Sequence, residues 1–202
     1  MTHRSYRGLL WTLAVLGLLL DQGTKYGMFR WLYGERHDPN NPDRGEYDVV
    51  HGWFRFTADF DPKTQPCDCE LAALQTWSAP TMPRVNHGAL FGLMQEHKGG
   101  ANQVFAGVSV LAAVGILIWV SRRNTAADGW LCAALGLILG GTVGNLYDRL
   151  VFNGVRDFLY FYRIDWPVFN VADCGLVVGA GMLLVHAFLP ARKADTTTTV
   201  TS

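Results

Sequence analysis

Charged residues divide the chain into long apolar stretches. Lys98 and Arg122 bracket residues 99–121, and Asp128 and Asp148 bracket residues 129–147. Each uncharged run is about the length that crosses a bilayer as a helix. Residues 174–191 form a third run, preceded at once by Asp173. Residues 8–20 form a shorter fourth run, which reaches spanning length only if its helix continues through Asp21, Thr24 and Lys25 to about Phe29. The pattern predicts four transmembrane helices, over about 8–29, 99–121, 129–147 and 170–190.

Composition agrees with a membrane class: half of the 202 residues are hydrophobic and 17% are charged, which is low for a soluble enzyme. Arg4 and Arg7 before an apolar stretch resemble a signal peptide, but Leu18-Leu19-Leu20-Asp21 offers no small-x-small cleavage site, so this segment is expected to stay attached. Segments 1–7, 122–128 and 191–202 hold 6 Lys or Arg in 26 residues, whereas 30–98 and 148–167 hold 10 in 89. Cationic density marks the cytoplasmic side, so both termini are expected there. Trp11, Trp119 and Trp130 then lie toward the inner interface, with Trp31 and Trp166 toward the outer one. Net charge is zero, without the basic excess that binds nucleic acid. Four scattered cysteines show no zinc-ligand spacing. No metal or cofactor is expected.

Gly136, Gly140 and Gly144, and Gly175 and Gly179, repeat every four residues and predict close helix packing. In the outer segment, Asp38 to Asp43 reads as turns, and Gly52 to Thr57 alternates enough to predict a strand in a small sheet. Residues 58–83 read as a loop extension with one short helix near Glu70 to Trp77, and its removal is expected to spare activity. An oxidising compartment would permit a Cys67–Cys69 disulfide, but so tight a ring is strained and the reading favours separate thiols. Cys132 and Cys174, inside spans, are expected to be buried and inert, and Thr196 to Thr199 belongs to a disordered tail, 191–202.

Against this topology the polar residues at the span ends become informative. Asp21 and Lys25 on helix one, Asn145, Asp148 and Arg149 on helix three, and Asn170 and Asp173 on helix four fall at one depth. Singly each would read as an interfacial pair or cap. A ring drawn from three helices reads as a site, because ionisable groups at such depth usually face the bundle interior. Asp157, in the short outer loop between helices three and four, can reach Asp173. Two carboxylates in a partly dehydrated site would share one proton, leaving a base beside an acid. Such a pair suits peptide hydrolysis by activated water. His87 and His97 read as surface residues, and HExxH, GxSxG and a phosphate loop are absent.

Five ordered motifs carry a resemblance: Asp21-Gln22-Gly23-Thr24-Lys25, Asn86-His87-Gly88-Ala89-Leu90-Phe91-Gly92, Gly140 to Arg149, Val155-Arg156-Asp157-Phe158 and Phe169-Asn170-Val171-Ala172-Asp173. Together they resemble bacterial lipoprotein signal peptidase, signal peptidase II. The resemblance implies an all-α membrane protein, a four-helix bundle with a small extracytoplasmic β-cradle. It further implies an aspartic endopeptidase that removes the signal peptide from diacylglyceryl-modified prolipoproteins, cutting just before the lipidated cysteine. It assigns catalysis to Asp157 and Asp173, and site-lining or substrate-binding roles to Asp21, Lys25, Asn86, Gly88, Asn145, Asp148, Arg149, Asn170 and Ala172. The expected organisation is one peptidase domain, 1–190, of a monomer in the bacterial inner membrane. Its site lies near the extracytoplasmic face, and its partners are lipid-modified prolipoproteins and membrane lipids. The competing reading is a proton-coupled transporter or substrate-binding membrane protein using the acidic ring as a relay. A relay would continue toward the cytoplasm, where His186 is the only candidate.

Overall fold

The computed structural model describes residues 5–38, 41–88 and 98–188. The expected tail, His97 and the Ala89 to Gly92 part of the second motif lie outside the described residues. The long helices are α1 (Arg7–Glu35), α3 (Lys98–Ser121), α5 (Gly129–Val151) and α6 (Val171–Phe188), with short helices α2 (Ala72–Thr76) and α4 (Arg123–Ala126). Residues Gly100–Ser121, Gly129–Val151 and Val171–Phe188 are long and apolar enough to cross a membrane. Helix α1, with Asp21, Lys25 and Arg30 inside it, is far more polar.

Helix α5 is the hub, packing against α1, α3 and α6. The glycine spacing explains how closely. A methyl group on Gly136 would stand 2.7 Å from the Leu10 carbonyl oxygen of α1, and one on Gly140 2.8 Å from that of Ala14. On the α6 side a methyl on Gly179 would meet the Ala134 carbonyl oxygen at 2.8 Å. The helix starts at Asp128, whose carboxylate accepts the Leu131 N–H at 3.0 Å. It runs past the expected end at 147 to Val151, carrying Asp148 and Arg149 in its last turns.

Helix α1 also outruns the expectation, continuing past Phe29 to Glu35. At 1.5 Å per residue a helix of 29 residues is about 44 Å long, beyond the ~30 Å of a hydrocarbon core. Its last turns bury Phe29 and Leu32 against Ala58, Phe60, Ala79 and Phe158. The rising end of α1 therefore carries the sheet.

That sheet is antiparallel, in the order β1 (His37–Asp38), β2 (Asn41–Val50), β3 (Phe54–Asp61), β4 (Met82–Pro83), with β5 (Leu159–Tyr160) also on β3. The stretch read as turns thus contributes the end of β1 and the start of β2, because these pair with each other, Asp38 opposite Asn41, and so satisfy their backbone. Residues 58–61 complete β3, and Ala58, Phe60, Gln75, Ser78, Ala79 and Met82 are buried, so 58–83 is built into the core and is no loose extension. The short helix falls inside its expected range. Cys67 and Cys69 are joined as a disulfide, correcting the expectation of separate thiols. Cys132 is buried, whereas Cys174 is exposed on α6, because its position turns away from α5.

Candidate active site

The sheet and the bundle meet at the segment between α5 and α6. Asn86 and Val155 pair their backbones in both directions at 2.8 Å, and Phe158 and Leu159 donate to the Phe169 carbonyl at 3.0 and 2.9 Å. The Phe158 carbonyl accepts from Thr57 of β3 at 3.0 Å. Asp157 is clamped between these pairings and stands half-buried over the start of α6. Helix α6 opens with reciprocal capping: the Asp173 N–H donates to Asn170 Oδ1, and the Asn170 N–H donates to Asp173 Oδ2, each at 3.1 Å.

Two asparagines link the carboxylates. Asn170 Nδ2 donates to Asp157 Oδ1 at 2.7 Å and to Asn145 Oδ1 at 3.1 Å, while Asn145 Nδ2 donates to Asp173 Oδ1 at 2.8 Å. Asn86 Nδ2 adds a bond to Asp157 Oδ2 at 3.1 Å, and its own Oδ1 accepts the Gly88 N–H at 2.8 Å. Gly88 has φ +78, and the Phe105 ring lies where its side chain would begin. Burial pushes the Asp157 carboxyl up to about 7, and the negative Asp173 adds to the rise against the opposing bonds from Asn170 and Asn86.

Behind this layer lies a second one built on four buried charges. Asp21, Lys25, Asp148 and Arg156 are all fully buried. Lys25 Nζ sits 2.9 Å from Asp21 Oδ2, 3.4 Å from Asp148 Oδ2 and 3.0 Å from Asn145 Oδ1. Arg156 grips Asp148 through Nε at 3.2 Å, Nη2 at 2.8 Å and its backbone N–H at 2.8 Å. It also donates to Ser78 Oγ at 3.0 Å and Gln22 Oε1 at 2.9 Å. Two anions thus face two cations, which is how ions survive burial. Asp21 Oδ1 further accepts the Ala172 N–H at 3.0 Å, tying α1 to α6.

The expected site residues therefore separate into two groups. Asp157, Asp173, Asn86, Asn145 and Asn170 are brought together, and Gly88 turns the chain beside them. Asp21, Lys25, Asp148 and the buried Ala172 form the support behind. Arg149 does not pair with neighbouring Asp148: its guanidinium lies 5.2 Å from the Phe105 ring centroid, and its buried Nε and Nη1 have no partner among the described residues. Arg156 and Gln22 were not singled out by sequence. The available signal was charge balance, since Asp21 and Asp148 at one depth need a second cation besides Lys25. His87, read as a surface residue, is half-buried with Nδ1 2.7 Å from the Asn153 carbonyl oxygen. Among the described residues no three His, Cys, Asp or Glu side chains are grouped to hold a metal ion.

The family model described as signal peptidase (SPase) II matches residues 78–189, more than half of the chain. The lipoprotein signal peptidase of Rhodopirellula baltica is 37% identical over 194 residues, covering 89% of this chain and 71% of that protein. The chain belongs to the signal peptidase II family. The lipoprotein signal peptidase of Ralstonia nicotianae is 40% identical over 184 residues, covering 90% of this chain and 84% of its own. A solved bacterial membrane enzyme, determined by the in meso method, shares the fold with a TM-score of 0.66 at 19% identity, covering 93% of this chain and 98% of that one. In signal peptidase II terms, the matched stretch 78–189 contains Asn86, Asn145, Asp157, Asn170 and Asp173, so the whole front layer lies within it.

Proposed function

We propose that this chain removes the signal peptide from lipid-modified prolipoproteins as an aspartic endopeptidase, cutting just before the lipidated cysteine, with Asp157 and Asp173 as its catalytic pair. The observation that carries the reading is the amide bridge: two carboxylates from different elements, linked through Asn145 and Asn170 at the end of the bundle. The protonated carboxyl is assigned to Asp157, whose value is raised to about 7. Asp173 takes a proton from water, the water attacks the scissile carbonyl, and Asp157 donates to the developing oxyanion. As the tetrahedral intermediate collapses, the amine leaves with a proton returned from the pair. Asn86, Gly88, Asn145, Arg149 and Asn170 line the substrate path. Asp21, Lys25, Asp148 and Ala172 position that lining from behind.

Helix α1 is assigned as a fourth membrane span, its Asp21 and Lys25 charges being paired inside the bundle. Both termini lie in the cytoplasm and the site at the extracytoplasmic face of the bacterial inner membrane, within a single monomeric domain, 1–190. No nucleic acid is involved. A proton relay is not favoured, because His186 is paired with Asp128 at 2.8 Å and joins α6 to the start of α5.

The test is cleavage of a lipidated prolipoprotein peptide by the purified protein. Asp157→Asn and Asp173→Asn should each lower turnover by several orders of magnitude while binding survives, and the double variant should be scarcely worse. Near-normal cleavage by a folded Asp157→Asn protein would remove the assignment.

A further inference from the structure

A cavity of about 1010 Å³ runs along α1; none of Asp157, Asp173, Asn86, Asn145 or Asn170 lines it, and Gln22 of the buried layer reaches its wall. One wall is a stripe of α1 that includes Leu18, Leu19, Gly23, Gly27 and Arg30; α2 and Trp77, from the 58–83 segment, form the other. The α1 positions recur at helical spacing, so they share a face. Nothing lies within 4 Å of where a side chain would begin at Gly23 or Gly27, which leaves a trough along the helix. Its floor is Tyr26 and Tyr147, whose hydroxyls share a hydrogen bond of 2.8 Å, with the Trp77 ring 4.8 Å from that of Tyr26.

The trough is mostly apolar, its polar groups being Gln22, Thr76 and the paired tyrosine hydroxyls, and it ends at a cation. From Leu18 to Arg30 a helix rises about 18 Å, comparable with one leaflet of a hydrocarbon core. Arg30 is exposed and has no hydrogen bond or ion pair among the described residues. Exposed Leu71 and Trp77 flank the outer end, where the membrane interface would lie.

We infer that this groove is a binding site for one phospholipid with an anionic headgroup, its acyl chain lying along the Gly23–Gly27 trough and its phosphate on Arg30. The assignment rests on α1 being a membrane span, and gives the 58–83 segment a role as the groove's outer wall. A polar solute is disfavoured by the leucines and tyrosines, and a peptide by the absence of unpaired backbone groups along a helix.

The test is native mass spectrometry of the full chain, delipidated in detergent, with phosphatidylglycerol or phosphatidylcholine added. Wild-type protein should retain one phosphatidylglycerol, about tenfold more strongly than phosphatidylcholine. Arg30→Gln should remove that preference. Gly27→Leu, which fills the trough, should lose the lipid. As a second measurement, phosphatidylglycerol brominated on its chains should quench wild-type fluorescence more than that of Trp77→Phe. Equal retention by wild type and Gly27→Leu, or identical quenching with and without Trp77, would overturn the site. Displacement of bound phosphatidylglycerol by the lipidated prolipoprotein peptide would also overturn it, because the groove would then belong to the substrate. Cleavage measured in parallel separates this outcome from failure of the peptidase reading, since Gly27→Leu should still cut.

Discussion

Arg156 is the side chain whose removal should be felt most widely. It is fully buried, and it holds Asp148 of α5, Gln22 of α1 and Ser78 of the outer segment at once. Its guanidinium also packs 4.2 Å from the Tyr26 ring centroid and 3.9 Å from that of Phe152. Arg156→Met keeps much of that packing but leaves Asp148 buried with Lys25 at 3.4 Å as its only ion pair among the described residues, beside the neutral Gln22 amide at 3.2 Å. Breaking a buried ion pair from one side costs about 3–5 kcal/mol. At roughly 2–4 °C per kcal/mol for a chain of this size, the melting temperature should fall by roughly 6–20 °C. Because Arg156 precedes Asp157, cleavage should also drop by about 100-fold even below the melting point, through misplacement. Arg156→Lys should fall between, since it keeps the charge and loses the fork. Adding Asp148→Leu to Arg156→Met should restore much of the stability without restoring cleavage. Thermal unfolding in detergent and peptide cleavage read the two effects. A fall of less than about 2 °C for Arg156→Met would mean the buried pair is not a structural tie.

Three further outcomes are expected. The carboxyl of Asp157 is raised to about 7, so it holds its proton below that value and loses it above; kcat/KM should decline as pH rises through about 7, and a profile flat to about pH 9 would oppose its role as the acid. Gly140→Ala should destabilise by about 1–3 kcal/mol, since its methyl would stand 2.8 Å from the Ala14 carbonyl oxygen, whereas Gly115→Ala, with nothing within 4 Å, should be neutral or stabilising in the same melting assay. Replacing residues 62–81 by a Gly/Ser link should lower both melting temperature and cleavage, because it removes Ser78 from Arg156 and Gln75 Nε2 from the Val151 carbonyl at 2.6 Å; unchanged cleavage would return the segment to the status of a loop.

The span α3 and the start of α5 were legible because lipid excludes charge, so gaps between charges mark them almost to the residue, whereas the end of α5 carries Asp148 and Arg149 past the gap. The outer end of α1 was not legible. After Phe29 the sequence mixes Arg30, Trp31, Tyr33 and Glu35, and only burial of Phe29 and Leu32 beneath β3 keeps it helical. The same limit hid residues 58–83, whose prolines and acids read as a surface loop although Phe60 and Ser78 are buried. Asn145 and Asn170 were found by their depth and spacing. Arg156 was not, since its partners Gln22, Ser78 and Asp148 are scattered along the sequence and meet only in the fold.

The two layers of the site explain each other. An amide can present either its oxygen or its nitrogen, so an asparagine beside a carboxylate is useful only if something fixes which end it shows. Asn145 is fixed from behind: Lys25 Nζ donates to its Oδ1 at 3.0 Å, and Asn170 donates to the same oxygen at 3.1 Å. With its oxygen so engaged, Asn145 must turn its nitrogen to Asp173, where the bond is 2.8 Å. Lys25 can do this only if its charge is held in place without water, and Asp21 and Asp148 supply that counter-charge. Asp148 in turn carries a second negative charge relative to Lys25, which Arg156 neutralises from the segment that bears Asp157. The buried ions therefore hold a donor toward one carboxylate and tether the segment carrying the other. On the proposed mechanism one carboxyl keeps its proton beside an ionised partner, and a pliant frame would let Asp157 and Asp173 drift out of that relation.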